Sequence, residues 1–320
     1  MSAGPAETPK PGLLSAFHGE AVAGPDWFES AVATPAQSHV VTVDGCPIHY
    51  LQWGTRGRPG LLLVHGNGAH AFWWSFIAPF FAAEFNVVAM DLSGMGDSGR
   101  RTTYTMEHFV AEQLAVCEHA GLFDAPRPPI IAAHSFGGFV TILTGALHGE
   151  RLGGVVIVDS PVSPPERRHE GPPHREIRPH RIYPELAQAL GRFRLAPEQP
   201  CENLYIVDFI ARKSLVQVPG GWTWKFDPSI WTRFSIGDMA ARLKATRCRI
   251  AIFRGELSDL MPHEVGEYMF NLLGRSAPVV EIPQARHHVM LDQPLAFVAA
   301  MRALLADWEH SSPSRKPMGL

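Results

Sequence analysis

A short apolar strand that ends in a serine and is followed at once by an apolar helix most restricts how this chain can fold. Residues 130–134 have the composition of a buried strand, and residues 139–147 have one apolar face at helical spacing. Ser135 lies between them, with small residues on both sides. Small neighbours let the backbone turn sharply, so that the hydroxyl stands above the end of a sheet. The stretch predicts a nucleophile elbow at Ser135; the alternative is an ordinary helix N-cap serine.

Strands and helices alternate along most of the chain, which indicates an α/β fold. Asp44-Gly45 predicts the turn of an antiparallel hairpin. After it, apolar runs predict strands that alternate with predicted helices, as in a mostly parallel sheet covered by helices on both faces. The predicted strands lie at residues 61–64, 86–90, 155–158, 249–253 and 278–282, and the predicted helices at 73–83, 106–120, 262–273 and 294–308.

The alternation stops between residues 161 and 235, which predicts an insertion over the sheet. We expect this block to be a mainly helical cap, because it contains a helical pattern at 204–215 and no strand–helix alternation. The predicted core is then residues 38–160 and 236–310, preceded by an N-terminal extension at 1–37 and followed by a tail at 311–320. Trp27 and Phe28 are candidates to anchor the extension.

Composition excludes several classes of protein. A net charge of −3 gives no basic surface for nucleic acid. Four scattered cysteines, without a C-x-x-C pair, predict neither a metal site nor a disulfide framework and fit a reducing compartment. We expect a cytoplasmic protein, since the sequence has no signal peptide pattern and no apolar run long enough to cross a membrane.

Two further segments invite a ligand-binding interpretation that their patterns do not support. The glycine-rich loop at residues 91–98 lacks the third glycine and the acidic ribose contact of a dinucleotide fingerprint, so it predicts a structural turn. Residues 164–184 are rich in proline, arginine and histidine, but without the tight spacing of metal ligands. We therefore expect a solvated loop there, and neither a metal nor a cofactor.

Four motifs, each at the end of a predicted strand, together carry a resemblance to a known superfamily. They are His65-Gly66-Asn67-Gly68, the loop at residues 91–98, Ala133-His134-Ser135-Phe136-Gly137, and a late aspartate followed by a histidine. In this order they make the chain similar to α/β-hydrolase-fold enzymes of the serine hydrolase or esterase type with a cap domain. The resemblance implies a mostly parallel sheet of eight strands. Alanine replaces the usual first glycine of the elbow motif and is small enough for the turn.

A serine is a weak nucleophile at neutral pH, so it needs a neighbouring base and a group that orients the base. Similarity to the superfamily's Gly-His-x-x-x-Leu-Asp pattern favours His287 as this base, with His288 as the alternative. Resemblance to its Gly-x-x-Ser-Asp loop favours Asp259 as the orienting acid. Asp159, at the end of the preceding strand, and Glu256 remain alternatives for that role.

The resemblance also implies an oxyanion hole formed by two backbone N–H groups. In this chain these groups belong to Asn67 and Phe136, so their side chains matter less than the backbone path. His65 is predicted to hold the loop by hydrogen bonds rather than to take part in the chemistry. Trp73 and Trp74 are expected in the core, whereas Trp222, Trp224 and Trp231 are predicted to contact an apolar substrate.

These residues predict a cofactor-free serine hydrolase that acts on a carboxylic ester, lactone or other activated acyl compound with an apolar part. A serine at the elbow argues against epoxide hydrolysis, since the epoxide hydrolases of this fold use an aspartate there. Hydrolysis of a carbon–carbon bond or acyl transfer on the same triad is an alternative. A non-catalytic receptor for a small apolar ligand on the same fold is another. The sequence makes no prediction of oligomeric state.

Overall fold

The computed structural model describes residues 11–167, 179–232 and 234–311. Residues 1–10 of the predicted extension, residues 168–178 of the predicted solvated loop and residues 312–320 of the predicted tail lie outside the described residues.

Strands of the described residues form one large sheet and one small sheet. Their bounds are β1 (Gln37–Val43), β2 (Cys46–Trp53), β3 (Gly60–Val64), β4 (Asn86–Met90), β5 (Ile130–His134), β6 (Gly154–Val158), β7 (Leu215–Val218), β8 (Gly221–Trp224), β9 (Ile250–Gly255) and β10 (Val279–Ile282). Eight of these described strands form the large sheet, in the order β1-β2-β4-β3-β5-β6-β9-β10. Strand β2 is antiparallel to both its neighbours, β1 and β4. The other six strands of this sheet, β4, β3, β5, β6, β9 and β10, are parallel to one another. The predicted mostly parallel sheet is confirmed.

Helices of the described residues cover both faces of this sheet. Their bounds are α1 (Asp26–Ala33), α2 (Met106–His119), α3 (Phe136–His148), α4 (Leu186–Leu190), α5 (Leu204–Lys213), α6 (Met239–Lys244), α7 (His263–Leu272), α8 (Val289–Asp292) and α9 (Pro294–His310). Within the described ranges, no helix is both long and apolar enough to cross a membrane.

Strand β3 shows why the central strands are continuous apolar runs. All five of its residues are buried. Leu61 and Leu63 pack on the face of the sheet that α9 covers, whereas Leu62 and Val64 pack on the face that α2 and α3 cover. Successive side chains of a strand point to opposite faces, so a strand between two helical layers is apolar at every position.

The prediction of a helix at residues 73–83 is wrong. Two short 3₁₀ turns, Ala71–Trp74 and Ala78–Phe80, occupy this segment. Proline has no N–H group and clashes with the carbonyl four residues earlier, so Pro79 interrupts an α-helix that would otherwise continue. Trp73 and Trp74 are buried there, as expected from the sequence.

The predicted insertion, residues 161–235, contains a β-hairpin as well as helices. Helices α4 and α5 and the antiparallel pair β7–β8 lie in its described part. Hydrogen bonds fasten it to the core: Asn203 Nδ2 donates to Leu291 O at 2.8 Å, and Tyr104 Oη donates to Asp227 Oδ2 at 2.7 Å. That the insertion acts as a cap remains a prediction.

The described part of the N-terminal extension packs on the insertion. Phe28 of α1 is 3% exposed and lies edge-on to Tyr205 of α5, with ring centroids 4.8 Å apart. Its ring also contacts Phe209 of α5 and Phe76 of the core. Residues 11–36 are therefore tied to the body by an aromatic cluster.

We expect Phe28→Ala to lower the free energy of unfolding by about 3 kcal/mol, because it removes a buried ring and leaves a cavity. The matched control is Val40→Ala on β1, where the side chain is 54% exposed. This control should change stability by less than about 0.5 kcal/mol. Denaturant unfolding followed by tryptophan fluorescence measures both variants, and equal midpoints would contradict the anchoring role of Phe28.

Candidate active site

Ser135 occupies the sharp turn that joins β5 to α3. Its backbone has φ of 51° and ψ of −119°, a conformation that L residues rarely adopt. The two glycines that follow allow this turn. A Cβ atom on Gly137 would overlap the carbonyl oxygen of His65, and one on Gly138 would overlap the Ser160 hydroxyl. Helix α3 can therefore begin directly against the loop after β3 and the end of β6.

Ser135, His287 and Asp159 form a continuous chain of hydrogen bonds. His287 Nδ1 lies 2.9 Å from Asp159 Oδ1, and His287 Nε2 lies 3.0 Å from Ser135 Oγ. Since an ionised carboxylate only accepts, the imidazole donates through Nδ1, and Nε2 is then free to accept the serine proton. Asp159 is fully buried and His287 is nearly so. This is the arrangement that a base-activated serine requires.

Asp259 does not contact His287, so the prediction of this residue as the orienting carboxylate is wrong. Its side chain is exposed, four residues beyond the end of β9. Glu256 is also exposed, and its Oε2 accepts a hydrogen bond from Gln284 N. Asp159 directly follows β6, the neighbour of both β5 and β9, which places its carboxylate behind the imidazole. The carboxylate that contacts His287 is therefore that of Asp159, one of the alternatives that the sequence left open.

The loop after β9 holds the carboxylate in place. Gly255 N–H donates to Asp159 Oδ2 at 2.8 Å, and Ser258 Oγ donates to Asp159 Oδ1 at 2.6 Å. Ser258 itself accepts a hydrogen bond from Met261 N, which fixes its hydroxyl. The Gly-x-x-Ser-Asp pattern thus belongs to a loop that contributes to the site, but its serine, Ser258, rather than its aspartate contacts the carboxylate of Asp159. Sequence reasoning did not identify Gly255 or Ser258 for this role.

Two uncharged histidines flank His287. His134 Nε2 donates to the carbonyl oxygen of His287 at 2.9 Å and so connects the elbow to the histidine loop. Burial lowers the pKa of His134 well below its usual value, and the neighbouring His287 and His288 lower it further. Burial is the main cause that lowers the pKa of His288, and the neighbouring His287 lowers it further, to about 3. Both rings are neutral at neutral pH, so neither repels an imidazolium at His287.

The N–H groups of Asn67 and Phe136 have no hydrogen-bond partner among the described residues. Phe136 is the first residue of α3, where N–H groups point outward and favour negative charge. The Asn67 loop passes close to the elbow, because a Cβ atom on Gly66 would lie 3.0 Å from Ser135 Cβ. Unpaired donors beside a serine hydroxyl are what an oxyanion hole needs.

His65 holds the loop after β3 by two hydrogen bonds. Its Nε2 accepts from Leu92 N at 3.1 Å, and its Nδ1 then donates to Gly66 O at 2.7 Å. Burial lowers the pKa of His65, which keeps the ring neutral and able to accept. The loop with the two glycines is thus connected to the glycine-rich loop after β4.

Of the three tryptophans predicted to contact substrate, Trp231 lies beside Asn67 and Phe136. Its Nε1 donates to Asn67 Oδ1 at 3.1 Å, and its ring is edge-on to Phe136 at 5.0 Å. Trp222 pairs with Tyr183 through backbone hydrogen bonds, and Trp224 packs on Tyr183 and Phe193. For these two residues, no hydrogen bond or ring contact to Ser135 or His287 occurs within the described ranges.

Two groups of described residues each bring three potential metal-ligand atoms within 4.8 Å of one another. These groups are His134, His287 and His288, and His49, Asp91 and Asp97. In the first group His287 already contacts Asp159 and Ser135. In the second group Asp97 pairs with Lys225 at 2.6 Å. That the chain requires no metal or cofactor stays a prediction.

Comparison with known families identifies a match over most of the chain. A model described as the alpha/beta hydrolase family matches residues 61–301. This range begins in β3, ends in α9 and includes Ser135, Asp159 and His287.

Curated relatives include an esterase and an epoxide hydrolase. The chain is similar to a pimeloyl-(acyl-carrier protein) methyl ester esterase from Edwardsiella ictaluri, with 28% identity over 265 residues, which are 78% of this chain and 95% of the relative. It is also similar to epoxide hydrolase 4 from Mus musculus, with 26% identity over 120 residues, which are 37% of this chain. The match to the epoxide hydrolase spans only 32% of that protein's length.

Solved structures of low sequence identity share the fold. A thioesterase domain from the curacin biosynthetic pathway superimposes with a TM-score of 0.70 and 21% identity, covering 84% of this chain and all 100% of that domain. A novel esterase from Mycobacterium tuberculosis superimposes with a TM-score of 0.66 and 22% identity, covering 92% of this chain and 97% of that structure.

The conformation of Ser135 leads to a stability prediction. Ser135→Gly and Ser135→Ala both remove the hydroxyl, but only glycine adopts a positive φ without strain. We expect the glycine variant to be more stable than the alanine variant by about 1 kcal/mol, since strain of this kind costs about 1–3 kcal/mol and part is offset by the entropy of glycine in the unfolded chain. Denaturant midpoints of the two variants measure the difference, and a more stable alanine variant would contradict a strained elbow.

Proposed function

Because the chain belongs to the alpha/beta hydrolase family, we propose that it is a serine hydrolase that cleaves a carboxylic ester, a lactone or a similarly activated acyl compound. The expectation of an α/β-hydrolase enzyme is confirmed by the family match and the named hydrolases among its relatives. One observation carries the more specific proposal: the hydrogen bonds from Ser135 Oγ through His287 to Asp159.

Acylation begins at Ser135 Oγ, which attacks the acyl carbon as its proton passes to His287 Nε2. Asp159 fixes the Nδ1–H tautomer of the ring and stabilises the imidazolium that forms. The alcohol then leaves with the proton from His287 Nε2, so the ester is converted to an acyl-enzyme and a free alcohol. The carboxylate needs to stay behind the imidazole in this step, and the hydrogen bonds from Gly255 N–H and Ser258 Oγ hold it in that position.

Deacylation repeats the sequence with water as the nucleophile. His287 Nε2 takes a proton from water, the hydroxide adds to the acyl carbon, and Ser135 Oγ leaves with that proton. Both steps pass through a tetrahedral oxyanion, to which the N–H groups of Asn67 and Phe136 donate. One such donor contributes about 10²–10³ to turnover in comparable enzymes.

The residue at the elbow favours an ester over an epoxide. Ser135 supplies an oxygen nucleophile that requires a base, and His287 is within hydrogen-bond distance of it. The relative matched over 95% of its own length is named as a methyl ester esterase, whereas the epoxide hydrolase is matched over 32%. The ester proposal is therefore supported both by the chemistry of the site and by the more extensive match.

An aromatic wall beside the oxyanion residues supports a substrate with an apolar part. Trp231, Phe136 and Phe234 contact one another at ring-centroid distances of 5.0 to 5.5 Å. Trp231 is 41% exposed, so its ring is available to a ligand. We propose that this wall binds the acyl or alcohol group, and we assign no substrate contact to Trp222 or Trp224.

Ser135→Ala tests the proposal most simply. We expect the variant to lose on the order of 10⁶ in turnover of a small p-nitrophenyl ester, since loss of the nucleophile removes the function of the whole triad. The absorbance of released p-nitrophenolate, followed over time, measures this loss relative to the parent protein.

The control is Ser276→Ala, which removes an exposed serine and is purified in the same way. This variant should retain the full rate, which excludes a general effect of replacing a serine by alanine. Loss of activity in Ser135→Ala prepared in the same way then excludes a contaminating esterase as the source of the parent's activity. Activity of Ser135→Ala within tenfold of the parent would contradict the proposed nucleophile.

A further inference from the structure

A second serine, histidine and aspartate are hydrogen-bonded in the same order away from Ser135. Ser38 lies on β1, His49 lies on β2, and Asp91 follows β4. Ser38 Oγ is 3.0 Å from His49 Nε2, and His49 Nδ1 is 2.7 Å from Asp91 Oδ2. The corresponding distances at Ser135 are 3.0 and 2.9 Å, between the same types of ring nitrogen and oxygen.

The hydrogen bonds fix the ring of His49 in the form that acts as a base. The Asp91 carboxylate only accepts, so His49 donates through Nδ1 and its Nε2 carries the lone pair. That lone pair faces the Ser38 hydroxyl, which can therefore donate its proton to it. An adjacent base of this kind is what activates a serine oxygen.

Backbone contacts hold the histidine and the carboxylate rigidly. His49 N–H donates to Ser98 Oγ at 2.8 Å, and His49 O accepts from Asp91 N at 2.9 Å. The carboxylate also accepts from Ala71 N at 2.6 Å and from Asp97 N at 2.9 Å. The base is thus held in place before any reagent binds, as in a preorganised site.

The three residues differ in burial: the base is enclosed, whereas the nucleophile is accessible. Asp91 is fully buried and His49 is nearly so, whereas Ser38 is exposed on β1, an edge strand of the sheet. Burial alone would raise the pKa of Asp91, but the hydrogen bond and charge of His49 lower it overall, with smaller contributions from His65 and His70. The carboxylate is therefore ionised and able to stabilise a protonated His49.

We propose that Ser38 is a second reactive serine, which His49 and Asp91 activate toward acyl and phosphonyl donors with good leaving groups. With a fluorophosphonate, Ser38 Oγ forms a bond to phosphorus, the P–F bond breaks, fluoride leaves, and the serine proton passes to His49 Nε2 and then to solvent. With an activated ester, Oγ bonds to the acyl carbon and the alcohol leaves with that proton.

The product at Ser38 is a stable adduct rather than a turnover intermediate. Ser38 lies within a strand, so it lacks the adjoining helix N-terminus that provides the N–H of Phe136 beside Ser135. One such donor contributes about 10²–10³ to the rate. Ser38 should therefore react more slowly than Ser135, and its acyl or phosphonyl group should remain attached.

The test uses full-length Ser135→Ala protein treated with an alkyl fluorophosphonate, followed by peptide mass spectrometry over time. Because Ser135 is absent, the result does not depend on the function proposed for it. The internal control is Ser30, an exposed serine of α1 for which no side-chain hydrogen-bond partner is described. General-base assistance predicts labelling of Ser38 faster than Ser30 by a factor on the order of 10². Equal rates at the two serines would overturn the proposal.

A second variant separates activation by His49 from simple exposure. His49→Gln in the Ser135→Ala background should reduce labelling of Ser38 to the rate of Ser30 and leave Ser30 unchanged, while circular dichroism monitors the fold. Fast labelling of Ser38 in a folded His49→Gln protein would refute a role for the histidine. Should this variant fail to fold, the ratio of Ser38 to Ser30 in the folded Ser135→Ala protein still decides the proposal.

Discussion

The candidate site depends on three neighbouring parallel strands whose carboxyl ends meet at one edge of the sheet. The backbone ladder continues past the ends of these strands: Ser135 N–H donates to Val158 O at 2.9 Å, and Asp159 N–H donates to Phe253 O at 2.8 Å. The serine and the aspartate are therefore held by the spacing between strands, about 4.8 Å, rather than by flexible loops. His287 comes from the loop after β10 and completes the chain of contacts.

Much of the fold follows from the sequence, because strands buried on both faces are apolar at every position. The elbow was also predictable, since small residues around Ser135 permit a turn that larger ones would prevent. The carboxylate that contacts His287 could not be predicted, because Asp159 and Asp259 both follow strands that end at this edge. Only the path of each loop decides which of the two carboxylates turns inward. The hairpin β7–β8 was missed because four-residue strands leave too short a pattern.

Comparison of the Ser–His–Asp groups at Ser135 and Ser38 distinguishes what the side chains contribute to reactivity from what the backbone contributes. At Ser135 and at Ser38 the serine, histidine and carboxylate atoms lie at nearly the same distances. Only Ser135 lies at a strained turn before a helix, where Phe136 presents an unpaired N–H group. Activation of the hydroxyl requires the side chains, whereas stabilisation of the tetrahedral oxyanion requires the turn. On this account the backbone conformation distinguishes a turnover site from a site that is only reactive.

The identity of the acid is the most direct test of the proposed triad, and Asp159→Asn and Asp259→Asn form a matched pair. Steady-state hydrolysis of a small p-nitrophenyl ester gives kcat for each variant. We expect Asp159→Asn to lose about 10⁴ in kcat, because asparagine can hold His287 in the wrong tautomer. Asp259→Asn should remain within about twofold of the parent, since its exposed carboxylate contacts neither the ring nor the serine. The opposite ranking, or equal rates for the two variants, would contradict the account.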